Sequence, residues 1–546
     1  MSSNRFHQLN VSKLWILLLV IVGLFGVSLL LAWVSSGFGS IQNWWQFLLV
    51  VFLGAGIMSL GWLGVKADKS FEVPKWLGFL IIGAALIRLL AGVIWFVGLP
   101  DWGYGSDVEQ AGYIMADAHA RDIPAWELAQ TSKPLWTSIS EYRKVDQYGG
   151  MIFLSSLVYR YLGGDQHQPL QIIVLTASIS SLAILFTWAF AMRVWGDKVA
   201  WVAAWVLAIF PDAIILGGSQ MREAFLMTMV AVSLYGLVRF RQDRSWSGLA
   251  WLLMGLLFML PFSPPIAGVF VIATLVLALS FEGWELFRQP RFWILIGGIA
   301  VVAGIGIFLA WGRIAPEGIN DPISLVIWWF RQSARWQALF VKRSSTLIRK
   351  IFKVTPDWSH VPILMFYGVL QPFLPAAILD QGIQVWKGIA IWRSIGWTLM
   401  LPFLLVAPLY VWGRKQGKRL ALGLTLVVWT GILIASLRSG GDLWDNPRYR
   451  LIFISMQAVL VAWVWFEQRK SRNPWLSRMV IGLAIFLAWF VPWYLQRFEY
   501  ISWPIIDIFK TIGLGIASVI LVFIWTFVRG ISMNKDYQTQ DNQKSN

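Results

Sequence analysis

Apolar runs of about 18 to 25 residues recur from one end of this chain to the other, and their length limits the fold more than any motif does. Each run can cross a bilayer as a helix. In hydrocarbon every backbone N–H and C=O must find a partner within the chain, which leaves helices or closed barrels. The runs lack the alternation of barrel strands. Hydrophobic residues make up 58% of the 546 positions and charged residues 13%, against about 25% charged in an average soluble protein. The fold class expected is an all-α polytopic membrane protein. Spans are expected near 13–34, 44–65, 76–99, 169–193, 198–216, 222–240, 247–261, 263–281, 292–312, 395–413, 419–437, 449–466, 475–495 and 504–528. The run 13–34 is too long and too uniformly apolar for a cleaved leader and is kept as a helix. Pro261, Pro264 and Pro265 interrupt 247–281, because proline removes backbone donors, and a tight turn is expected there.

Charge gives the orientation. The net charge of +17 would suggest nucleic acid in a soluble protein. Here the cations cluster in alternate short loops, such as Lys66, Lys69 and Lys75, Arg239, Arg241 and Arg244, and Arg469, Lys470 and Arg472. The positive-inside rule makes that set cytoplasmic. Both termini are then inside, residues 100–148 and 313–394 outside, and no nucleic-acid partner is implied. Cysteine is absent, so no thiolate chemistry, disulfide or Cys-held metal enters. The four histidines, His7, His119, His167 and His360, show no metal-ligand spacing. Many of the 36 tryptophans stand at span ends, as interfacial anchors do. The tail 529–546 is polar and expected to be disordered.

One outer segment breaks the charge rule. Arg331, Arg335, Lys342, Arg349 and Lys353 recur three or four residues apart or at multiples of that step, with Trp336, Phe340, Leu347 and Ile351 on another face. This predicts a basic amphipathic helix on a membrane surface, with anionic lipids as partners. The apolar stretch 362–378, with Pro362, Pro372 and Pro375, is expected to be re-entrant or superficial, since a full crossing would invert the later loops.

Four groups of residues can carry chemistry. Asp107 and Glu109 open the first outer loop, where a carboxylate can take a proton from an attacking hydroxyl or hold a divalent metal. Arg222-Glu223 lies at the mouth of two spans on the same side. Arg448-Tyr449-Arg450 stands at the outer start of the span 449–466, where arginine can pair bidentately with phosphate. Arg88 lies inside 76–99, where a charge costs about 2.5–3.5 kcal/mol and needs a partner or a wet cavity. Solvated loops, helix capping and interfacial snorkelling are the plainer explanations of the first three.

The order of these pieces is familiar. Arg88 is followed by Ser106-Asp107-Val108-Glu109-Gln110-Ala111-Gly112-Tyr113, then by Tyr148-Gly149-Gly150 to Tyr159-Arg160-Tyr161, Phe210-Pro211, Arg222-Glu223-Ala224-Phe225 and Arg448-Tyr449-Arg450-Leu451. The chain resembles the GT-C glycosyltransferases, in particular protein-mannosyltransferase-like and aminoarabinose-transferase-like members, over 76–281 and more loosely 395–466. The resemblance implies about 13–15 spans with two large outer loops, and inverting transfer of a sugar from a polyprenyl-phosphate carrier to a glycan, lipid or protein acceptor on the extracytoplasmic side. It implies Asp107 as base with Glu109 and Glu223 as further acids. Arg88, Tyr113, Arg222, Arg448, Tyr449 and Arg450 are implied as substrate contacts, and a divalent metal is a candidate cofactor. Ile452 replaces a proline common in that motif, and two spans precede the usual first core helix. The organisation expected is an N-terminal pair of spans (1–75), a catalytic core (76–312, with the loop 100–168), a basic outer segment (313–394), C-terminal spans (395–528) and the tail. A polymerase or ligase of lipid-linked glycans shares the donor and the outer site. A transporter is disfavoured by the absence of a repeat and by only one clear mid-span charge.

Overall fold

The computed structural model describes residues 3–142, 144–283, 288, 290–316, 318–325, 327–328, 331–332, 346–412, 418–439, 445–471, 475–505 and 507–525. The tail 529–546 and, of the amphipathic segment, Arg335, Trp336, Phe340 and Lys342 lie outside these. The chain is an all-α polytopic membrane protein, with no strand among the described residues. It begins with α1 (Ser3–Ser35), α2 (Trp44–Lys66) and α3 (Lys75–Trp102), then short surface helices α4 (Asp107–Gln110), α5 (Ala116–Gln130), α6 (Ser138–Glu141) and α7 (Gly150–Val158). There follow α8 (Leu170–Trp195), α9 (Asp197–Ile209), α10 (Pro211–Gly217), α11 (Arg222–Asp243), α12 (Trp246–Met259), α13 (Pro264–Glu282) and α14 (Pro290–Ile314). Beyond them come α15 (Thr346–Val354), α16 (Asp357–Leu370), α17 (Leu374–Ile378), α18 (Gln384–Trp412), α19 (Lys418–Ser439), α20 (Asp445–Leu451), α21 (Ile454–Ser471), α22 (Trp475–Arg497) and α23 (Ile508–Trp525).

Among the described residues ten helices are long and apolar enough to cross a membrane, or eleven if α9 and α10 count as one bent span. Three of the expected spans are not single long apolar helices. The expected span 198–216 bends by 57° between α9 and α10, because Phe210 is extended and Pro211 cannot donate back into α9. The expected span 247–261 is a helix of 14 residues. That of 449–466 is cut at Ile452–Phe453, and the helix after the cut, α21, carries Glu467, Arg469 and Lys470. The turn at Pro261–Pro265 forms as expected, with Ser263 capping α13 through its Oγ. Segment 362–378 falls in α16 and α17, and α16, at 14 residues, is about 21 Å long against a core of about 30 Å.

The bundle has a centre and a rim. In α8 the apolar window is 94% buried and in α11 89%, whereas in α22 and α23 it is 11%. Helices apolar all round occupy the centre, and those with exposed apolar faces meet lipid. Lipid tails are as apolar as the helices, so close backbone approach has to hold the centre together. A methyl on Gly54 would meet Ser178 Oγ at 2.5 Å, and one on Gly236 would collide with the Leu252 backbone. Part of the basic segment is described. Ile348 of α15 is buried against α16, while Lys350 and Lys353 are exposed.

Candidate active site

The site is built where the ends of α3, α11 and α18 meet the helices of the first loop. Arg222-Glu223 begins α11, and a negative charge is favoured in a first helical turn. Glu223 is fully buried. Its Oε1 lies 3.1 Å from Arg448 Nε and 3.5 Å from Arg222 Nε. Arg448, on α20, also donates through Nη1 to Asp117 Oδ2 at 3.0 Å, and Arg121 Nη2 donates to the same oxygen at 3.0 Å. Arg121 faces Asp146 at 3.9 Å. Asp146 in turn accepts the backbone N–H groups of Met151 and Ile152 at the start of α7. Three segments far apart in the chain therefore share one chain of alternating charges, Arg222, Glu223, Arg448, Asp117 and Arg121.

A cavity of about 550 Å³ opens beside this chain, lined by Glu109, Asp117, Arg393, Arg448, Trp386 and Phe373 among others. Glu109 is buried and clamped. Its Oε2 accepts from the Ser106 N–H and hydroxyl at 3.0 and 2.8 Å, completing a capping box, and its Oε1 accepts from Trp386 Nε1 at 2.8 Å. Burial pushes the Glu109 carboxyl upward, but the Ser106, Tyr104 and Trp386 donors outweigh it and hold the group below the usual carboxylate range. Burial also acts to raise Asp117, and the guanidiniums of Arg121, Arg448 and Arg222 bring it down. Arg393 donates from Nε to Asp212 Oδ1 at 2.5 Å, fixing α18 to the first turn of α10.

The expected residues divide into three groups. Glu109 and Arg448 line the main cavity, with Glu223, Arg222 and Tyr449 directly behind Arg448. Asp107 begins α4, is exposed, and is not among the residues lining that cavity. Arg88, Tyr113 and Arg450 are buried and do not line that cavity. Arg88 donates to Ser181 Oγ at 2.8 Å and to the Ala213 carbonyl at 3.2 Å, so a hydroxyl and a carbonyl are partners of its charge. Tyr113 donates to Asp122 Oδ2 at 2.5 Å. Asp122 also accepts from Tyr159 at 2.7 Å and meets His167 Nε2 at 2.6 Å. Burial, with the Asp122 carboxylate close by, pushes the Tyr113 and Tyr159 hydroxyls well above their ordinary values, so both remain donors. Arg450 lies 3.2 Å over the Trp397 ring and donates to the Gln371 carbonyl. These three hold the walls.

Sequence reading passed over Asp117, Arg393, Trp386 and Arg438. Asp117 had a signal, an acid four residues before Arg121. Arg393 had one too, a charge inside an apolar stretch, but the span was begun at 395, whereas α18 starts at Gln384. As for a metal, no three carboxylates or imidazoles stand together among the described residues. Asp117 and Glu223 already carry guanidinium partners, so the residues do not fit a cation and no step is routed through one.

No family model matches the chain, and no curated protein matches it. Among solved structures the chain is similar to the archaeal oligosaccharyltransferase AglB from Archaeoglobus fulgidus, in complex with an inhibitory peptide and a dolichol-phosphate, at 15% identity and a TM-score of 0.39. The match covers 82% of this chain and 54% of that one, so the chain spans about half the length of that protein.

Proposed function

We propose that the protein is an inverting glycosyltransferase that moves a sugar from a polyprenyl-phosphate carrier to a glycan, lipid or protein acceptor at the extracytoplasmic face of the cytoplasmic membrane. The observation that carries this reading is the convergence of Glu109, Asp117 and Arg448 at one cavity, with the buried Glu223 holding Arg448 from behind. In the reaction an acceptor hydroxyl oxygen attacks the anomeric carbon from the face opposite the phosphate. The bond from that carbon to the phosphate oxygen breaks, the phosphate keeps the electron pair, and a carboxylate takes the hydroxyl proton. Fixed cations favour the charge gathering on the leaving phosphate. Arg448 is positioned for that role, and Glu223 and Asp117 hold its guanidinium.

Two carboxylates compete as base. The resemblance implies Asp107, whose helix also delivers Glu109. The cavity lining favours Asp117, which faces the space directly. Purified protein in lipid nanodiscs, given a panel of polyprenyl-phosphate sugars and assayed for carrier-phosphate release by mass spectrometry, tests the reading. The base substituted by asparagine loses about 10²–10⁴ in rate with donor binding retained. Release unchanged in Asp107→Asn but lost in Asp117→Asn assigns the base to Asp117, and the reverse assigns it to Asp107. Failure of every donor with the wild type rejects the reading.

A further inference from the structure

Between α1, α2, α3 and α8 lies an apolar groove of about 700 Å³, which shares no lining residue with the polar cavity. An apolar cavity of about 150 Å³ already holds a benzene ring, so this space is far larger than a packing gap. Its origin is local. Glycines draw α2 and α3 onto α8, and a methyl added at Gly61 or Gly92 would collide with Leu182 or Ile173. The side chains facing the gap that is left are small, among them Ala55, Gly78 and Ala85. A methyl added at Gly23 of α1 would meet nothing within 4 Å. Both hydroxyls in the lining are spent within their own helices. Ser59 donates to the Ala55 carbonyl at 2.7 Å and Ser178 to the Val174 carbonyl at 2.8 Å.

The shape and the ends of the groove select its occupant. It opens sideways, since Leu63, Ile82 and Leu86 line it and are also exposed, on helices long and apolar enough to cross a membrane. Its depth is that of one leaflet. The lining runs from Val51 to Leu63 on α2 and from Gly78 to Leu89 on α3. That is about 17 Å at 1.5 Å per residue, against about 15 Å for half of a hydrocarbon core. A crossing helix from a partner would need about twice that length. One end is charged. Leu63 stands one turn before Lys66 and Gly78 one turn after Lys75, and Lys66, Lys69 and Lys75 are all exposed. Of the two acids in that loop, Asp68 is held by Arg193 at 2.6 Å and by Tyr235 at 2.8 Å, while Glu72 is exposed. A net positive mouth on an apolar slot one leaflet deep complements an anionic headgroup carried on an acyl chain.

We propose that this groove binds one anionic phospholipid, with an acyl chain between α2 and α3 and the headgroup at Lys66, Lys69 and Lys75. The site is separate from sugar transfer and is tested without it. Protein is reconstituted in nanodiscs with phosphatidylglycerol or phosphatidylcholine of the same chain composition, each carrying a photoreactive diazirine on one chain. Labelled residues are located by peptide mass spectrometry, with labelling of α23, whose apolar side chains are exposed, as the reference.

Relative to α23, phosphatidylglycerol is expected to label residues 51–63 and 78–89 about tenfold more than phosphatidylcholine does. Lys66→Gln and Lys75→Gln should each lower that excess about fivefold, the scale of one lysine at an anionic surface. Ala85→Trp fills the groove and should abolish its labelling while α23 is labelled as before, which a folding defect would not allow. Groove labelling no greater than that of α23 overturns the site, and equal labelling by the two lipids overturns the anionic class. Loss of the label on adding an equimolar polyprenyl monophosphate would hand the groove to a different lipid and overturn the proposal. A dimer in native mass spectrometry that Ala85→Trp dissociates would hand it to a second copy of the chain and overturn it equally.

Discussion

Arg448 illustrates what a single side chain does here. It reaches a fully buried glutamate on one side and a half-exposed aspartate on the other. Removing it leaves the buried Glu223 with Arg222 alone at 3.5 Å, and Arg448→Ala is expected to cost about 1–3 kcal/mol, read as a lowered melting temperature in detergent. Arg448→Lys keeps the charge but loses the fork that meets both acids, and transfer should fall with it. Asp117 gives a pH prediction. Its pKa is depressed by Arg121 and Arg448 against the pull of burial. A depressed carboxylate contributes stability above its unfolded value, about 3.9, and loses it as pH falls through its folded value. The stability difference between wild type and Asp117→Asn should stay flat from about pH 5 to 8 and shrink only below about pH 4. A difference that vanishes between pH 5 and 6 would mean that the arginines do not hold this group. At this scale the sequence was partly legible. Glu223 and Arg448 stood out as charges at span ends, whereas Asp117 was passed over, because its partner Arg448 is distant in the chain.

Elements position these side chains through a few contacts. The break at Pro211 lets α10 turn under α3, and Gly217 makes that approach close enough that a methyl there would collide with Arg88 Cδ. Gly217→Ala should therefore destabilise the protein by about 1–3 kcal/mol. It should also reduce transfer, because the segment it distorts leads into Arg222-Glu223. Arg88 thus supports the site through backbone and hydroxyl contacts. Intra-helix pattern could flag its charge but not what it touches. The helix α18 was harder to read. Its first turns carry Trp386 and Arg393 among small and apolar residues, and charge within a run made the span seem to begin later. The Trp386 to Glu109 bond ties α18 to the first loop. Trp386→Phe keeps the ring and removes the donor, with an expected cost of about 1 kcal/mol.

At the scale of the whole molecule, length and apolarity of the runs revealed the helical membrane fold, while a proline break and a short apolar helix altered two of the expected spans among the described residues. The end of the bundle opposite the site carries its own network. Arg193 meets Asp68 and Asp243 at 2.6 Å each, and Tyr235 donates to Asp68 at 2.8 Å. Orientation is open to direct test because the chain contains no cysteine. A cysteine placed at exposed Ser106 should react with a membrane-impermeant thiol reagent applied from the extracytoplasmic side of intact cells, and protection there would invert the topology. One further consequence follows from Asp117 and Arg448 meeting at the wall of one cavity. If the acceptor oxygen attacks the donor's anomeric carbon there directly, both reactants must be present before either product leaves, and no enzyme-bound glycosyl species accumulates in between. Initial-rate plots at several fixed acceptor concentrations should then intersect, whereas parallel lines would indicate that the sugar rests on the protein between two half-reactions.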